Sequence, residues 1–228
     1  MKNNSPFLNL FFKLKRFFLI IFILFFIPPF AVFSEEKTVS GSEIVVVDDF
    51  NSGSFVNRLG NNSGYWQVNP VDRSQYCRAV FDPQEKIGDK GNSLRLDFDI
   101  DSDLTYTDNI PNAAFNGYYT KLGGIDLTGY KYLIFYVKGD RKRGFTRSFK
   151  IELQNARRGN ASRGSYTVEW ITGKWQKFVV PLWEFRDLRS LNPIDEFTIV
   201  FDRLVTNKEG TIYIDNIYFA KEKTAEIK

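Results

Sequence analysis

Three aspartates near the two ends of the sequence are the residues best suited to binding a cation. Asp48 and Asp49 end the apolar run that starts at Ile44, and Asp215 lies inside the apolar run 211–219. Acidic residues are poor strand formers, and carboxylates are rarely buried without a partner. We therefore expect two terminal β-strands to be neighbours and their carboxylates to share a hard cation such as calcium.

A turn elsewhere in the chain would complete this calcium site. Residues 88–92 are rich in glycine and polar residues, and their carbonyl groups are suitable oxygen ligands. The predicted metal ligands are Asp48, Asp49, Asp215 and Asn92. Because the ion would tie the first strand to the last, its predicted role is structural. An alternative stays open, in which the aspartates cap turns or pair with Lys and Arg.

Aromatic residues form a second group with possible chemistry, since they make up 17% of the chain. Flat aromatic rings pack on the C–H faces of sugars, while charged and amide side chains bond the hydroxyl groups. The candidates are Tyr65, Trp66, Tyr118, Tyr119, Tyr132, Tyr136, Tyr166 and Trp170. Strand alternation suggests that Tyr132 and Tyr136 share a polar face with Lys150, Glu152 and Gln154. The alternative is ordinary aromatic packing in a β-rich core.

Composition excludes several classes of function. The chain has no histidine, so Ser-His-Asp and Cys-His catalysis and His-ligated zinc or copper are excluded. Cys77 is the single cysteine, so no intrachain disulfide forms. Four of the 31 basic residues and none of the 27 acidic ones lie in residues 1–34, which leaves 27 of each in the remainder. This zero net charge gives no argument for nucleic acid binding.

The N-terminus has the layout of a secretory signal peptide. Basic residues at 13, 15 and 16 precede the apolar run 17–27, and two prolines end that run. We predict a signal peptide over residues 1–34, a polar lead over 35–43, one domain over 44–221 and a polar tail over 222–228. The protein is then exported to the periplasm, cell surface or medium. An uncleaved N-terminal membrane anchor is the alternative.

Apolar and polar residues alternate with a period of two along most of the remaining chain, which is typical of β-strands. The clearest alternating segments are 94–101, 132–137, 149–154, 166–171, 177–182 and 197–202, and the terminal apolar runs 44–50 and 211–219 add two more strands. Eight or more strands with Gly- and Asn-rich turns predict an all-β, two-sheet antiparallel β-sandwich of jelly-roll type. In the last segment, Ile212 and Ile214 are even-numbered whereas Ile217 and Phe219 are odd-numbered. This change of parity predicts a β-bulge near Asp215.

Six short motifs in one order carry a resemblance to a known family. They lie at residues 47–50, 116–119, 130–138, 175–185, 194–199 and 210–217, and include Asp-Asp, Asn-Gly-Tyr-Tyr and Tyr-Ile-Asp-Asn-Ile sequences. The chain resembles the galactose-binding-like jelly rolls, and most closely the family-eleven carbohydrate-binding modules of bacterial glucanases. A more distant resemblance is to the complex I intermediate-associated protein family.

The resemblance implies calcium near the terminal strands and a concave cleft that binds β-glucan chains. By position, Tyr118 or Tyr119, Arg186 and Asp202 correspond to cleft residues. Together with the aromatic face, the predicted carbohydrate-binding residues are Tyr118, Tyr119, Tyr132, Tyr136, Arg147, Gln154, Arg186 and Asp202. The predicted function is an exported, non-catalytic carbohydrate-binding protein. A cell-envelope module that binds a protein partner is the alternative, and a glycoside hydrolase or lyase is less favoured because no spaced carboxylate pair stands out.

Overall fold

The computed structural model describes residues 43–107, 110–156 and 161–227, in which β-strands are the main regular secondary structure. Because the sequence alternates with a period of two and lacks long helical patterns, short strands joined by turns are the expected outcome. In chain order they are β1 (Ile44–Asp48), β2 (Ser63–Gln67), β3 (Tyr76–Asp82), β4 (Ser93–Asp99), β5 (Asp101–Thr107), β6 (Ile110–Ala113), β7 (Asn116–Ile125), β8 (Tyr132–Gly139), β9 (Ser148–Asn155), β10 (Ser162–Glu169), β11 (Gln176–Pro181), β12 (Ile194–Phe201) and β13 (Glu209–Ala220). A short 3-10 helix (Leu182–Glu184) follows β11.

Two antiparallel sheets hold all of these strands except the β5–β6 hairpin. The six-stranded sheet has the order β11-β8-β13-β4-β3, with β1 also pairing with β13. The five-stranded sheet has the order β10-β9-β12-β7-β2. The prediction of an all-β, two-sheet antiparallel sandwich is therefore confirmed.

The core lies between the inner faces of the two sheets. The even-numbered apolar residues of β4 point inward, and the odd-numbered ones of β9 and β12 meet them. The rings of Phe98 and Phe201 stack with centroids 4.0 Å apart and an interplanar angle of 7°. Since every second residue faces the core, the residues between them form the two outer faces.

The predicted bulge in the last strand is confirmed. The register of β13 against β8 shifts between Asp215 and Tyr218, and Asn216 has a φ of 51°. The extra residue lets Ile214 and Ile217, which differ in parity, both face the core. Asp215, which follows the inward-facing Ile214, faces away from the core and lies near Asp48 at the end of β1.

One prediction about the faces is wrong. Tyr132 and Tyr136 belong to β8 in the six-stranded sheet, whereas Lys150, Glu152 and Gln154 belong to β9 in the five-stranded sheet. Alternation within a strand shows which of its residues share a face. It does not show which sheet the strand joins, so the two groups cannot form one surface.

The C-terminal tail packs on the outer face of the six-stranded sheet. Ala225 and Ile227 contact a small apolar cluster centred on Ile134 and Tyr218. The Tyr218 hydroxyl donates a hydrogen bond to the carbonyl oxygen of Ala225 at 2.9 Å. In addition, the Lys177 Nζ lies 2.6 Å from a Glu226 carboxylate oxygen. The tail, although mostly polar, is therefore held by both apolar and ionic contacts.

The predicted signal peptide over residues 1–34 and the lead up to residue 42 lie outside the described residues. Among the residues that are described, no helix has the length and apolar character needed to cross a membrane.

Deleting residues 222–228 should lower the stability of the domain. The deletion exposes the Ile134–Tyr218 cluster and removes the Glu226 ion pair, for an expected loss of roughly 1–3 kcal/mol in the free energy of unfolding. Urea unfolding of the deleted and full-length proteins measures this difference. Lys223→Ala, at an exposed tail position, is the control. Equal unfolding midpoints for the deleted and full-length proteins would contradict the packed tail.

Candidate functional site

A groove of about 490 Å³ lies on the outer face of the five-stranded sheet. All five strands contribute to it, together with the residue before β7. Its lining residues are Trp66, Phe115, Tyr119, Lys121, Lys150, Glu152, Arg163, Glu196, Thr198 and Val200. The groove therefore combines aromatic rings at one side with charged and hydroxyl groups across its floor.

Strand alternation decides which residues of β7 reach the groove. Tyr119 and Lys121 point outward into it, whereas Tyr118, Thr120 and Leu122 are buried on the inner face. On β12, Glu196, Thr198 and Val200 alternate in the same way with core phenylalanine and isoleucine residues. The groove residues of β7 and β12 are thus outward neighbours of buried residues, and the packed core fixes their positions.

The aromatic side of the groove is built around a glycine. A Cβ atom at Gly64 would lie 2.9 Å from the Tyr119 hydroxyl oxygen, so the absence of a side chain there makes room for the tyrosine ring. The Lys121 Nζ lies 5.5 Å from the centroid of that ring. Trp66 meets Phe115 edge-on, with ring centroids 5.6 Å apart. These contacts hold two aromatic side chains in place at the groove surface.

The charged side chains of the groove neutralise one another. Lys150 Nζ lies 2.9 Å from an Asp202 carboxylate oxygen and 3.3 Å from one of Glu152. The Arg163 guanidinium lies 3.4 Å from the other Glu152 oxygen, and Lys121 pairs with Glu196. Burial works against the charge of Lys150, but the Asp202 and Glu152 carboxylates outweigh it and raise the pKa of the amine. The floor is therefore a set of held donors and acceptors without net charge.

Three of the eight predicted carbohydrate-binding residues lie at this groove. Tyr119 lines it directly. Gln154 accepts a hydrogen bond from Arg163 at 3.3 Å, and Asp202 is the ion-pair partner of Lys150. These three come from β7, β9 and the end of β12, so the fold brings together residues that are far apart in sequence.

The structure corrects three other predicted residues. Tyr118 has 1% of its surface exposed and lies in the core, so it cannot stack on a ligand in the groove. Tyr132 and Tyr136 lie on the opposite sheet. There the Tyr132 ring packs edge-on against Trp183 at 6.0 Å, and the Tyr136 hydroxyl donates to Glu226 at 2.8 Å. Neither tyrosine can contribute to the same cleft as Tyr119.

The two predicted arginines also lie away from the lining of the groove. Arg147 is exposed just before β9, and its backbone N–H donates to the Thr206 hydroxyl at 2.7 Å. Arg186 follows the 3-10 helix and forms an exposed ion pair with Glu184 at 3.8 Å. The prediction of Arg186 rests on its position in the chain, and that of Arg147 rests on the charge of its loop. Neither chain position nor loop charge indicates which sheet a residue lies on.

Five groove residues were not anticipated from the sequence, namely Phe115, Lys121, Glu196, Thr198 and Val200. The last four could have been found by extending the alternation outward from core positions. Once Phe197 and Ile199 are assigned to the core, Glu196 and Thr198 must face outward. Alternation could not identify Phe115, because this residue lies in the connection between β6 and β7 and not in a strand.

The terminal aspartates come together as the sequence suggested. β1 pairs with β13, and Asp48 lies opposite Ile217, just beyond the bulge that carries Asp215. Each of the two aspartates has only 2% of its surface exposed. Burial raises the pKa of Asp48 and of Asp215 to about 7, and the neighbouring Asp49 carboxylate adds to both shifts.

The hydrogen bonds of this pair are incomplete. Asp48 Oδ1 accepts from the backbone N–H of Phe50 at 2.8 Å, and Asp215 Oδ2 accepts from that of Ile87 at 2.8 Å. The Asp48 Oδ2 atom is buried and has no hydrogen-bond partner within the described parts of the chain. A buried carboxylate oxygen without a partner is unfavourable unless a cation or proton joins it.

The other two predicted metal ligands, Asp49 and Asn92, contact residues near Asp48. Asp49 forms an ion pair with Arg58 at 3.6 Å, and Asn92 Nδ2 lies 3.5 Å from the Phe50 carbonyl oxygen. Over the residues that the structure describes, no group of three or more His, Cys, Asp or Glu side chains is placed to hold a metal. Two buried carboxylates and an unpartnered oxygen fit a hard cation, provided that carbonyl oxygens supply further ligands.

Comparison with known proteins identifies a family. The sequence model described as carbohydrate binding domain 30 matches residues 59–221, which is most of the chain. No curated protein sequence matches the chain significantly.

Solved structures with similar folds include carbohydrate-binding modules of Clostridium thermocellum. The family 11 module of cellulosomal cellulase Lic26A-Cel5E is 14% identical with a TM-score of 0.57, covering 80% of this chain and 97% of that one. A family 11 module in complex with a β-1,3-1,4-mixed-linked tetrasaccharide is 14% identical with a TM-score of 0.55, covering 78% and 95%. The family 30 module of cellulase Cel9D-Cel44B is 17% identical with a TM-score of 0.52, covering 78% and 98%.

These findings confirm the resemblance to jelly-roll carbohydrate-binding modules. At such low identity the family 11 structures establish the fold alone, and the matching sequence model is that of family 30. The resemblance to the complex I intermediate-associated proteins stays a prediction.

In a metal chelator, the protein should become less stable as the pH rises from about 4 to 8. The pKa values of Asp48 and Asp215 are raised from 3.8 to about 7, so the folded state holds their protons more tightly than the unfolded state. The resulting stabilisation is fully present below the pKa that the aspartates have in the unfolded state. It is lost as the pH rises through the pKa that they have in the folded state. Thermal unfolding in EDTA across this pH range measures the trend.

The variants Asp48→Asn and Asp215→Asn should flatten this profile, because an amide carries no charge at any pH. At pH 8 in EDTA each should melt at least about 2–4 °C above the unaltered protein, the equivalent of about one pKa unit. Asp89→Asn, at an exposed position in the neighbouring turn, is the control. A lower melting temperature in both variants would show that the ionised carboxylates are stabilising.

Proposed function

Because the chain belongs to the carbohydrate binding domain 30 family, we propose that it is an exported, non-catalytic protein that binds an oligo- or polysaccharide in the groove of the five-stranded sheet. The observation that carries the proposal is the groove itself, in which Trp66 and Tyr119 adjoin a floor of paired charged groups. A neighbour with the same fold was solved with a mixed-linked β-glucan tetrasaccharide. A β-glucan is therefore the first ligand to test.

The chemistry of the groove suits a sugar chain. Aromatic faces pack against the C–H groups of a pyranose ring and fix its plane. A sugar hydroxyl both donates and accepts hydrogen bonds, so it can bond a carboxylate and an ammonium group at once. Ion pairs such as Lys121–Glu196 and Arg163–Glu152 offer this combination. Because they are already held together in the free protein, little side-chain entropy is lost on binding.

The absence of net charge on the groove favours a neutral chain. Three cationic side chains line its floor, and each is paired with a carboxylate of Glu152, Glu196 or Asp202. A sulfated or uronic acid chain would have to displace one of these carboxylates. The same pairing argues against hydrolysis, since a glycosidase needs one carboxyl group that is free to donate a proton.

Calcium is proposed as a structural ion at the terminal strands. Asp48 and Asp215 would hold it, with the unpartnered Asp48 Oδ2 as a ligand. Bound calcium would supply a positive charge that offsets two buried carboxylates, and it would link β1 to β13. The export of the protein is proposed from the signal-peptide pattern of residues 1–34.

The alternative proposal, an envelope module with a protein partner, draws on one feature of the opposite sheet. Trp183 is 63% exposed and packs edge-on against Tyr132. Exposed aromatic side chains are enriched at protein interfaces. The saccharide proposal is preferred because the groove of the five-stranded sheet combines aromatic rings with paired charged groups.

Replacing Tyr119 or Trp66 with alanine should weaken saccharide binding at least about tenfold, because each removes a ring that stacks on the ligand. Isothermal titration with mixed-linked β-glucan, cellulose-derived and mannan-derived oligosaccharides measures the affinity. Tyr132→Ala is the matched control, since it removes a partly exposed tyrosine from the other sheet. If the Tyr119→Ala and Trp66→Ala variants bind the saccharide as tightly as the Tyr132→Ala control does, the binding site lies outside the groove. No binding by any of these proteins would favour the protein-partner alternative.

Addition of calcium should raise the melting temperature of the EDTA-treated protein at pH 8. An ion that binds only the folded state stabilises it by mass action, by about 2.7 kcal/mol at a free concentration one hundred times its Kd. Differential scanning calorimetry measures the shift, with magnesium as a test of selectivity. Asp48→Asn should abolish most of it, and the Asp89→Asn control should keep it. An undiminished calcium shift in Asp48→Asn would contradict this location.

A further inference from the structure

A second pocket, of about 330 Å³, lies on the outer face of the six-stranded sheet. Its lining residues are Tyr76, Arg78, Arg95, Asp97, Arg143, Glu209, Gly210 and Thr211. They come from β3, β4, β13 and the loop after β8. None of them is among the sequence-predicted site residues, and the pocket shares no residue with the groove.

The register of three strands builds this pocket as a regular array. Tyr76, Asp99 and Glu209 lie side by side across β3, β4 and β13. In the next row, Arg78, Asp97 and Thr211 are neighbours in the same way. Five of the six are outward neighbours of the core residues Cys77, Phe98 and Ile212, so their backbone positions are fixed by the core, and Glu209 is the first residue of β13. The array is preorganised before any ligand arrives.

The floor of the pocket is internally satisfied. Arg95 contacts carboxylate oxygens of Asp97 at 3.2 Å and of Asp82 at 3.4 Å. Arg143, from the loop after β8, lies 3.6 Å from the other oxygen of Asp97. The Thr211 hydroxyl donates to that same oxygen at 2.7 Å. These groups therefore form a rigid polar base.

The rim of the pocket is different, because its charges lack ionic partners. The Arg78 guanidinium lies 4.7 Å from the centroid of the Tyr76 ring, and it has no ion pair within the described part of the chain. Glu209 is exposed and likewise has no ion pair among the described residues. It lies directly opposite Asp99, another carboxylate, and like charges in that position are destabilising. A ligand that donates hydrogen bonds there would relieve this repulsion.

We propose that this pocket is a second saccharide-binding site, in which Arg78 donates to ligand hydroxyl oxygens and Glu209 accepts from ligand hydroxyl groups. Vicinal hydroxyls suit a guanidinium and a carboxylate side by side, because each hydroxyl can accept from one and donate to the other. A simple anion would be repelled by Glu209, Asp99 and Asp97. A simple cation would be repelled by the three arginines. A neutral polyhydroxylated ring meets neither obstacle.

The two sites lie on opposite sheets, and this has a consequence beyond the proposed function. A protein with one site on each outer face can hold two saccharide chains at once. It would cross-link soluble polysaccharide, and on a surface with many chains its avidity would exceed the affinity of either site. The second site does not depend on the groove being a saccharide site, because it is argued from its own residues.

The test is amide chemical-shift mapping of the isotope-labelled protein by NMR, with mixed-linked β-glucan tetrasaccharide, cellohexaose and mannohexaose up to millimolar concentrations. We expect at least one of these probes to shift amides of β3 and the start of β13 as well as those of the groove. In Tyr119→Ala the β3 and β13 shifts should persist. Arg78→Ala and Glu209→Gln, both at exposed positions, should each weaken binding at the second site about tenfold or more and leave the groove unaffected. Arg186→Ala, an exposed arginine elsewhere, is the control.

The outcomes separate the two proposals. Shifts confined to the groove at every concentration would overturn the second site and leave the proposed function intact. Shifts confined to β3 and β13 would support the second site and overturn the groove. Shifts at the second site that Arg78→Ala and Glu209→Gln do not weaken would overturn the residue assignment. The absence of shifts at both locations would overturn both proposals. With two working sites, light scattering should show aggregates of soluble β-glucan that Arg78→Ala fails to form.

Discussion

The position of β13 in the middle of the six-stranded sheet is the constraint on which most of the structure depends. Its partners are β8 on one side, β4 on the other, and β1 beyond the bulge. Inward, Ile212, Ile214 and Ile217 help to form the core. Outward, the same strand carries the rim of the second pocket, the buried Asp215 and the tyrosine that anchors the tail. This one strand therefore contributes to the core, the second pocket, the Asp215 position and the tail contact. A shift of its register by one residue would disturb all four.

The two outer faces of the sandwich are built in the same way but differ in how completely their charged side chains are paired. On both, outward side chains are fixed by their inward neighbours, and carboxylates are paired with lysine or arginine across strands. In the groove the lysine and arginine side chains are all paired with carboxylates, so the surface is neutral. In the pocket of the other sheet the floor is paired but Arg78 and Glu209 are not. Where the ion pairs are already formed, little side-chain entropy is lost when a ligand binds. Where the rim charges lack ionic partners, a ligand that hydrogen-bonds to them would satisfy them.

Much of this architecture could be predicted from the alternation of apolar residues, since a period of two identifies strands and their inner faces. The bulge at Asp215 followed from a change of parity, and the meeting of the terminal strands followed from buried carboxylates at both ends. The assignment of strands to sheets could not be derived this way. Tyr132 and Tyr136 were placed with Gln154 because all three alternate with core residues, and alternation is identical in both sheets. Tyr118 and Tyr119 could not be told apart because residues 116–119 lack a polar–apolar contrast.

The candidate metal position and the groove belong to different sheets, which determines how a bound ion would act. Asp48 and Asp215 lie on the six-stranded sheet, where β1 pairs with β13. The groove is formed by five strands that include neither of these two. An ion between the terminal strands would therefore have no direct contact with a ligand in the groove. Its binding free energy would be expressed as folding free energy, and saccharide affinity would respond only through the fraction of molecules that are folded.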